Sequence, residues 1–513
     1  MVSDVLDILR KKGPSLTSEL IKALQEEGLS PSAARQRVTR AQFGYTKLAG
    51  LRFTKNTRFA YLDDQYGDKR FWEALERAFK SHGQSYWGTV VGLKSRGGRC
   101  PKSLFASVSG APTNRKGQLS PDRILDRLKA IQLLEERTDE ATGETHVRFH
   151  PYAYHVESDA VANAVLLAEY VALQAIKDWA RHLGLGSFGK FLLRGDSKTP
   201  TVSAVTWDLS APSYMRPLVS MQSGTVKPGF VVCDINLGGA VSEDAMALFV
   251  RKHDMASAPK DVAPILPIFV AEVFEQKAFD LARKSGILAA TTARLFGDET
   301  AKALRDLVEL LTDTATAAVS ADRLYAVITA LTKIEGAANN IRGALFEMAI
   351  GNLAKDIEGG YLRLGEKKTD FATGRSAEID VILDRPDDNP PLIIECKSKI
   401  PGAMVSEEEV KHWYKDRVPL IYSILSMDSH LAERPLRFEL WSNGLFTADA
   451  EAWLKSQETD FHWFTLGWKD GHALKDYAAK AKSASIRKVL NEHYFKHPLA
   501  KLSKSKASTQ SDQ

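Results

Sequence analysis

Between residues 4 and 63 the apolar positions recur three times at helical spacing and then switch to alternation. VLDILRKKG and SELIKALQEEG predict two helices. SPSAARQRVTRA predicts a third, with Ser30 as N-cap and Pro31 in the first turn, and it carries Arg35, Arg37 and Arg40. LRFTKNTRFAYL alternates Leu51 and Phe53 with Phe59 and Tyr61 across a Lys55-Asn56 turn, which predicts a hairpin bearing Lys55 and Arg58. From 67 to 153 a similar order returns. FWEALERAFKSHG and SYWGTVVGL read as helices, LSPDRILDRLKA as another, and LLEERT and THVRFH as two strands joined by DEATGE. Between them the basic, glycine-containing loop SRGGRCPK offers Arg96, Arg99 and Lys102 to phosphate, with an ordinary solvated loop as the alternative.

Beyond a long apolar-rich helix within 155–185 comes a β-rich stretch, including TVSAVTWDLSAPSY and GFVVCDINLGG, then PILPIFVAEVFEQKAFDLARKSGILAAT. Residues 301 to 356 are helical in pattern again. EIDVILDRPDDNPPLIIECKSK then sets two short apolar runs around a segment dense in turn formers. Downstream, EEVKHWYKDRVPLIYSIL predicts a helix, and PLRFELWSNGLFTADAEAWLKS a strand, a small-residue turn and a helix with Phe446 and Ala450 facing inward. The expected fold is multidomain α/β, divided at 1–66, 67–153, 154–300, 301–334 (a helical connector), 335–496 and a polar tail, 497–513, expected to be disordered.

At 513 residues and 44% hydrophobic, the chain exceeds what one core holds; about 100 to 200 residues per domain suggests three or four domains. Its three cysteines are far apart and form no CxxC, which argues against a disulfide framework or a zinc cluster. MVSDVLDILRKKG lacks the apolar core of a signal peptide, and no run of about 18 apolar residues occurs, so a cytoplasmic protein without a membrane partner is expected. The net charge of +5 is uneven. Residues 1–150 hold 26 Lys and Arg against 17 Asp and Glu, a surplus of 9. A basic third of this kind suits a polyanion such as nucleic acid; a solvated charged surface is the alternative.

The ends of the two runs around RPDDNPP carry the candidate chemistry. If they pair as an antiparallel hairpin centred on the turn, opposed positions sum to 775, and Asp380 faces Glu395. Glu395 and Lys397 share a face by the period of two, and Glu378, opposite Lys397, is a stand-in if a bulge shifts the register. Adjacent carboxylates repel, and a divalent cation supplies the missing positive charge. Magnesium, or manganese in its place, suits Asp380, Glu395 and the backbone carbonyl of Cys396. Lys397 then orients or helps deprotonate a water in phosphodiester hydrolysis. A surface salt bridge among the same residues is the alternative.

Two resemblances follow. Helix, helix, helix, hairpin over 4–63 resembles the winged helix-turn-helix family, which implies a third helix in the major groove and a wing on phosphates. Such modules also serve as protein-docking units. The helix NIRGALFEMAIGNLAKD followed by D-x14-ExK looks like the PD-(D/E)XK nuclease superfamily, the restriction endonuclease-like fold, and the strand and Phe-led helix at 436–455 are similar to Mrr-type restriction endonucleases. The resemblance implies Glu347, Asp380, Glu395 and Lys397 as catalytic residues. It also implies a DNA endonuclease of restriction or phage defence, acting on duplex DNA as a homodimer. A non-catalytic DNA-binding regulator, a repair or recombination nuclease and an RNA nuclease remain as alternatives. Phe274 and Ala278 repeat the spacing of Phe446 and Ala450, and Asp234-x-Asn236 stands where the later segment has Glu395-x-Lys397. A degenerate, second nuclease-like domain is therefore expected in the middle, with Asp208 as a relic acid.

Overall fold

The computed structural model describes residues 4–40, 44–138, 144–222, 225–259, 261–312, 321–331, 337–370, 373–385, 389–399, 403–428, 430–431 and 434–495. It is a multidomain α/β protein with several sheets. Contacts divide the described residues into two units, one holding those up to 138, 144–162 and 176–295, the other 163–175 and 296–495. The tail expected to be disordered and residues 386–388 of the RPDDNPP turn lie outside the described residues.

In the first unit, α1 (Val5–Lys12), β1 (Ser15–Leu16), α2 (Thr17–Glu26), α3 (Pro31–Arg40), β2 (Thr46–Lys47) and β3 (Phe59–Tyr61) follow in order. β3 lies between β1 and β2, antiparallel to both. The apolar stripes of the helices (Val5, Ile8 and Leu9; Leu20 and Leu24; Ala34 and Val38) meet in one small core. The hairpin differs from the expectation. Leu51 and Phe53 belong to no strand, and the partner of β3 lies further back, at β2. The physical reason is that Phe53 turns into a neighbouring core, while Lys55 and Asn56 both take left-handed backbone, with φ of 58° and 54°. Hydroxyl groups pin the base of this loop. Thr57 bonds Thr17 at 3.0 Å and Ser18 at 3.1 Å, and the Arg58 N–H donates to Thr17 Oγ1 at 3.0 Å.

The order is then repeated with an added helix. α4 (Lys69–His82), α5 (Gln84–Lys94), β4 (Arg99–Pro101), α6 (Phe105–Ser109), α7 (Pro121–Ala130), β5 (Leu134–Thr138) and β6 (Thr145–Phe149) form a second three-stranded arrangement, β4-β6-β5. The strands expected at LLEERT and THVRFH are β5 and β6. α4 buries Phe71, Trp72, Leu75 and Phe79 on one stripe, whereas α5 is buried along nearly its whole length. It is gripped closely at Gly92, where a Cβ would stand 1.9 Å from the Val108 carbonyl oxygen.

α8 (Asp159–His182) follows. By length and composition alone it is apolar enough to cross a membrane, which corrects the expectation of no such segment; half of its most apolar stretch is buried within the protein. After it come β7 (Leu192–Leu193), a small hairpin β8 (Thr201–Val202) and β9 (Val205–Thr206), β10 (Leu209–Ser213), and a second hairpin β11 (Ser220–Gln222) and β12 (Thr225–Lys227). The long β13 (Gly229–Val241), α9 (Glu243–Ser257), β14 (Ile265–Phe274), α10 (Gln276–Lys284) and β15 (Leu288–Thr291) complete a sheet ordered β15-β14-β13-β10-β7. Its β7, β10 and β13 are antiparallel; β13, β14 and β15 are parallel, joined through α9 and α10.

The second unit opens with α12 (Asp298–Thr312) and α13 (Ala321–Leu331), just after α11 (Thr292–Phe296). α14 (Ala337–Glu358) packs on β16 (Tyr361–Thr369), β17 (Ser376–Asp384) and β18 (Leu392–Lys397). α15 (Glu407–His412), a wide π-helical turn over Trp413–Arg417 and α16 (Val418–Leu425) lead to β19 (Leu436–Ser442), α17 (Ala448–Lys455), β20 (Phe464–Lys469), α18 (Gly471–Ala479) and α19 (Ala484–Val489). The sheet order is β16-β17-β18-β19-β20: antiparallel as far as β18 and parallel from there. β18 buries Leu392, Ile393, Ile394, Glu395 and Cys396, so a strand covered on both faces reads as a continuous apolar run rather than an alternating one. The small turn after β19 is required sterically. A Cβ on Gly444 would stand 2.9 Å from the Ala403 carbonyl oxygen, and the following Phe446 and Ala450 are buried as expected.

The close approach at Gly92 gives a stability prediction. Gly92→Ala overpacks the α5–α6 contact and lowers stability by about 1–3 kcal/mol, read as a lower urea midpoint; an unchanged midpoint would show that α6 yields at no cost.

Candidate active site

β17 and β18 pair Val381 with Ile394, Ile382 with Ile393 and Leu383 with Leu392. Every pair sums to 775, so the next opposed positions are Asp380 and Glu395. There the backbone ladder gives way to side chains. The Cys396 N–H donates to Asp380 Oδ2 at 2.7 Å, and Arg417 Nη2 donates to the Glu378 carbonyl at 2.6 Å. Lys397 Nζ donates to Glu395 Oε1 at 2.9 Å, and Arg417 Nη2 to Glu395 Oε2 at 2.9 Å. Asp380, Glu395 and Lys397 therefore meet at one place, at the end of the β17–β18 pair.

Arg417 has no counterpart in the sequence reading. It sits at the end of the π-helical turn, two residues before Pro419. Proline lacks the N–H that a regular helix would donate one turn back, and the wider turn accommodates this defect. The signal was present as a basic residue beside a mid-helix proline, but sequence spacing alone does not assign it to Glu395.

The charges are unevenly satisfied. Burial raises the pKa of Glu395, but Lys397 and Arg417 more than offset this and hold it below the usual carboxylate range. Asp380 is pushed up to about 7, by burial first and by Glu395 second, against the pull of the Cys396 N–H. Glu347, on α14, is pushed up to about 8 by burial and by the fields of Asp380, Glu378 and Glu395, which places it within electrostatic reach of the cluster. Burial works against the Lys397 ammonium, yet Glu395 raises its pKa overall. Lys397 is thus held as an ammonium by its ion pair with Glu395.

The side-chain donors are carboxylates, which fits a hard divalent cation, and burial together with the neighbouring acids raises the pKa values of Asp380 and Glu347. Asp380 and Glu395 could hold such an ion, with Glu347 in electrostatic reach; Glu395 would exchange an ion-pair partner to do so. As placed, no group of three or more His, Cys, Asp or Glu among the described residues converges closely enough to coordinate one. The Cys396 thiol is buried and its pKa is raised well above the usual value, leaving the backbone carbonyl as the only ligand that the sequence assigned to that residue.

The candidate basic residues fall into two groups. Arg35, Arg37 and Arg40 are exposed on α3, and Lys55 and Arg58 are exposed on the loop before β3. Arg96 and Arg99 depart from the phosphate-binding loop expected for SRGGRCPK, because both turn inward to acids. Arg96 Nη2 lies 3.3 Å from Asp208 Oδ2 and donates to the Ile235 carbonyl at 2.9 Å, and the buried Arg99 is paired with Asp159. Lys102 is exposed but bridges Glu136 at 2.8 Å.

Those contacts belong to a second constellation in the first unit. The Ile235 N–H donates to Asp208 Oδ2 at 3.0 Å, and Asp234 Oδ1 accepts from the Asp208 N–H at 3.1 Å. Asp234 and Ile235 correspond to Glu395 and Cys396, and Asp208 to Asp380: in each sheet the residue after the strand acid donates its N–H to the other acid. Asn236 stands in the place of Lys397, and its amide donates to the Ser95 carbonyl at 2.9 Å. Here the cations are complete. Lys252, on α9, is ion-paired with Asp234 and lies 3.2 Å from the Ser107 carbonyl, while Arg194 reaches Asp208 at 3.5 Å. Burial raises the pKa of Asp208, but Arg194, Arg96 and Lys252 bring it below the usual range; for Asp234, burial outweighs Lys252 and raises it. Around them only about 40 Å³ of cavity remains.

No family model and no curated protein matches the chain. Among solved structures, restriction endonuclease FokI bound to DNA aligns over 53% of this chain and 58% of that chain, at 11% identity and a TM-score of 0.15. The match spans little more than half of that protein, and a superposition at this level carries no argument.

Two outcomes follow from the electrostatics. Lys252→Ala strands the buried Asp234 carboxylate and lowers stability by about 3–5 kcal/mol in urea unfolding; a loss below 1 kcal/mol would show the pair to be solvated. At the other cluster, a carboxyl whose pKa is higher folded than unfolded favours the fold in its protonated form. This contribution is complete below 4.5 for Glu347 and is lost as pH rises to about 8. In chelator, the wild-type urea midpoint therefore falls between pH 5 and 8, and Glu347→Gln flattens that fall. Parallel pH profiles for the two proteins would contradict the assignment.

Proposed function

We propose that the chain is a divalent-metal-dependent DNA endonuclease. Its β16–β20 sheet is read as a restriction endonuclease-like, PD-(D/E)XK domain, and the two three-stranded modules of the first unit as winged helices that hold duplex DNA. The observation that carries this reading is the convergence of Asp380, Glu395 and Lys397 at the end of β17 and β18, with Glu347 in electrostatic reach. Bound Mg²⁺ or Mn²⁺ would supply Lewis-acid polarisation of the phosphate and an acidified water.

The chain's own residues do the rest. Asp380, Glu395 and Glu347 hold the ion, and the Lys397 ammonium faces the charge that develops on the phosphate during hydrolysis. Arg417 steadies Glu395 and limits its swing. The exposed Arg35, Arg37 and Arg40 and the loop residues Lys55 and Arg58 supply phosphate contacts. In the β7–β15 sheet the protein's own cations satisfy the corresponding acids, which supports reading it as a degenerate copy that frames the neighbouring module. One active sheet cuts one strand, so double-strand cleavage calls for a homodimer. A restriction or phage-defence role follows from the Mrr-type resemblance.

A second reading, a non-catalytic DNA-binding regulator, draws on the double ion pair that occupies Glu395. A plasmid assay separates the two. With Mg²⁺, wild-type protein nicks supercoiled DNA, and Asp380→Ala and Lys397→Ala each lose on the order of 10²-fold or more in rate. Manganese resonance counts one ion per chain, lost in Glu395→Gln and retained in Asp234→Asn. Salt-sensitive DNA binding with no nicking by any protein would establish the regulator instead.

A further inference from the structure

The loop from Leu48 to Arg58 and helix α7 enclose a cleft of ≈ 740 Å³ in the first unit. This lies within the range of about 300–1,000 Å³ typical of small-ligand sites. Only part of its floor is apolar: the half-buried Leu51 packs against the adjoining core, and Leu48 and Phe53 are buried members of that core. Arg52, Arg58 and Arg127 line the same space. Arg52 and Arg58 are exposed, Arg127 is half-buried, and none of the three has an ion pair among the described residues. Nearby arginines behave otherwise: Arg99 and Arg148 are both paired with carboxylates.

The cleft is also held open. The buried Tyr86 hydroxyl accepts from Arg127 Nη1 at 2.9 Å and from the Arg52 backbone N–H at 3.4 Å, tying the two walls to one atom. The Thr17, Ser18 and Thr57 hydroxyls anchor the far end of the loop. Lys47, beside it, has its pKa lowered by burial and then by Arg58.

Three guanidiniums line this one cleft, and an anion that enters it accepts charge-assisted hydrogen bonds from them, with Arg127 already held by Tyr86. A purely inorganic anion would leave the floor unused, whereas a flat ring carrying phosphate uses both. We propose that this cleft is a nucleotide-binding site, taking a phosphorylated nucleoside either as a unit of a polynucleotide or free in solution. The polynucleotide source rests on the endonuclease reading; the free nucleotide does not.

Fluorescence anisotropy on the full chain tests the site, in an Asp380→Ala background so that no probe is cut. The probes are a labelled duplex, a labelled single strand and a labelled adenosine triphosphate. Arg52→Glu, an exposed change that spares the fold, and the double variant Arg52→Ala, Arg127→Ala are compared with Arg35→Ala, Arg37→Ala, Arg40→Ala. Both cleft variants weaken at least one probe by about tenfold or more; for a polynucleotide, the double variant also lowers the log–log salt slope by about 2. Weakened oligonucleotides identify the chain as the source; weakened adenosine triphosphate alone identifies the free nucleotide. Duplex binding that responds only to the α3 variant overturns the cleft and leaves the endonuclease reading standing. Absence of plasmid nicking by the wild type with cleft-dependent adenosine triphosphate binding intact does the reverse. Wild-type affinity for every probe in both cleft variants, or no binding of any probe, overturns the cleft.

Discussion

Two carboxylates brought together inside a sheet repel, and each holds its proton unless positive charge reaches it. This chain meets that constraint twice and resolves it in opposite ways. Around Asp208 and Asp234 three cationic side chains close in from separate segments, and almost no free volume is left. Around Asp380 and Glu395 the two cations both attach to Glu395. Asp380 receives a backbone N–H and Glu347 shares the deficit, so both carboxyls titrate near neutrality. One cluster is ion-paired from three sides, although burial still raises the pKa of Asp234; in the other, burial and the neighbouring acids raise those of two carboxyls.

The correspondence between the clusters runs through the backbone as well as the side chains. In each sheet an antiparallel set of three strands passes into two parallel strands through helical crossovers, and the acids stand on the strand where the direction changes and on, or just before, its antiparallel neighbour. Strand ends of this kind bring side chains from separated segments into one crevice. In both sheets, moreover, a cation from the helix after that strand neutralises the strand acid, Lys252 in one and Arg417 in the other. The difference in character comes from what is added: Arg96 and Arg194 on one side, Lys397 on the other.

Much of the site was legible in the sequence because its determinants are local. Apolar runs broken by a turn fix the β17–β18 register, and the register fixes that Asp380 faces Glu395. Asp234-x-Asn236 was placed by the repeated Phe-x-x-x-Ala spacing, whereas Asp208, separated from Asp234 by a further hairpin, was suggested only as a relic acid. Arg417, Arg194 and Lys252 were not legible, since each reaches its acid from a remote segment at a distance that only tertiary packing determines. Arg96 and Arg99 were misjudged by composition: a glycine-containing basic loop suggests phosphate, but the buried Asp208 claimed one guanidinium and the exposed Asp159 the other. The hairpin before β3 was misplaced because Phe53 alternates correctly for a strand and yet packs into another core, a tertiary preference overriding a local pattern.

The wide turn over Trp413–Arg417 bears on how Glu395 is held. One surplus residue in a helix shifts the phase of everything beyond it by about 100°. The guanidinium on Glu395 is therefore aimed by the winding of a helix rather than by the pleat of the sheet. Rewinding that single turn would rotate the arginine off its acid while every strand stayed still, so the backbone winding acts as a rotary clutch between the helix and the carboxylate it grips.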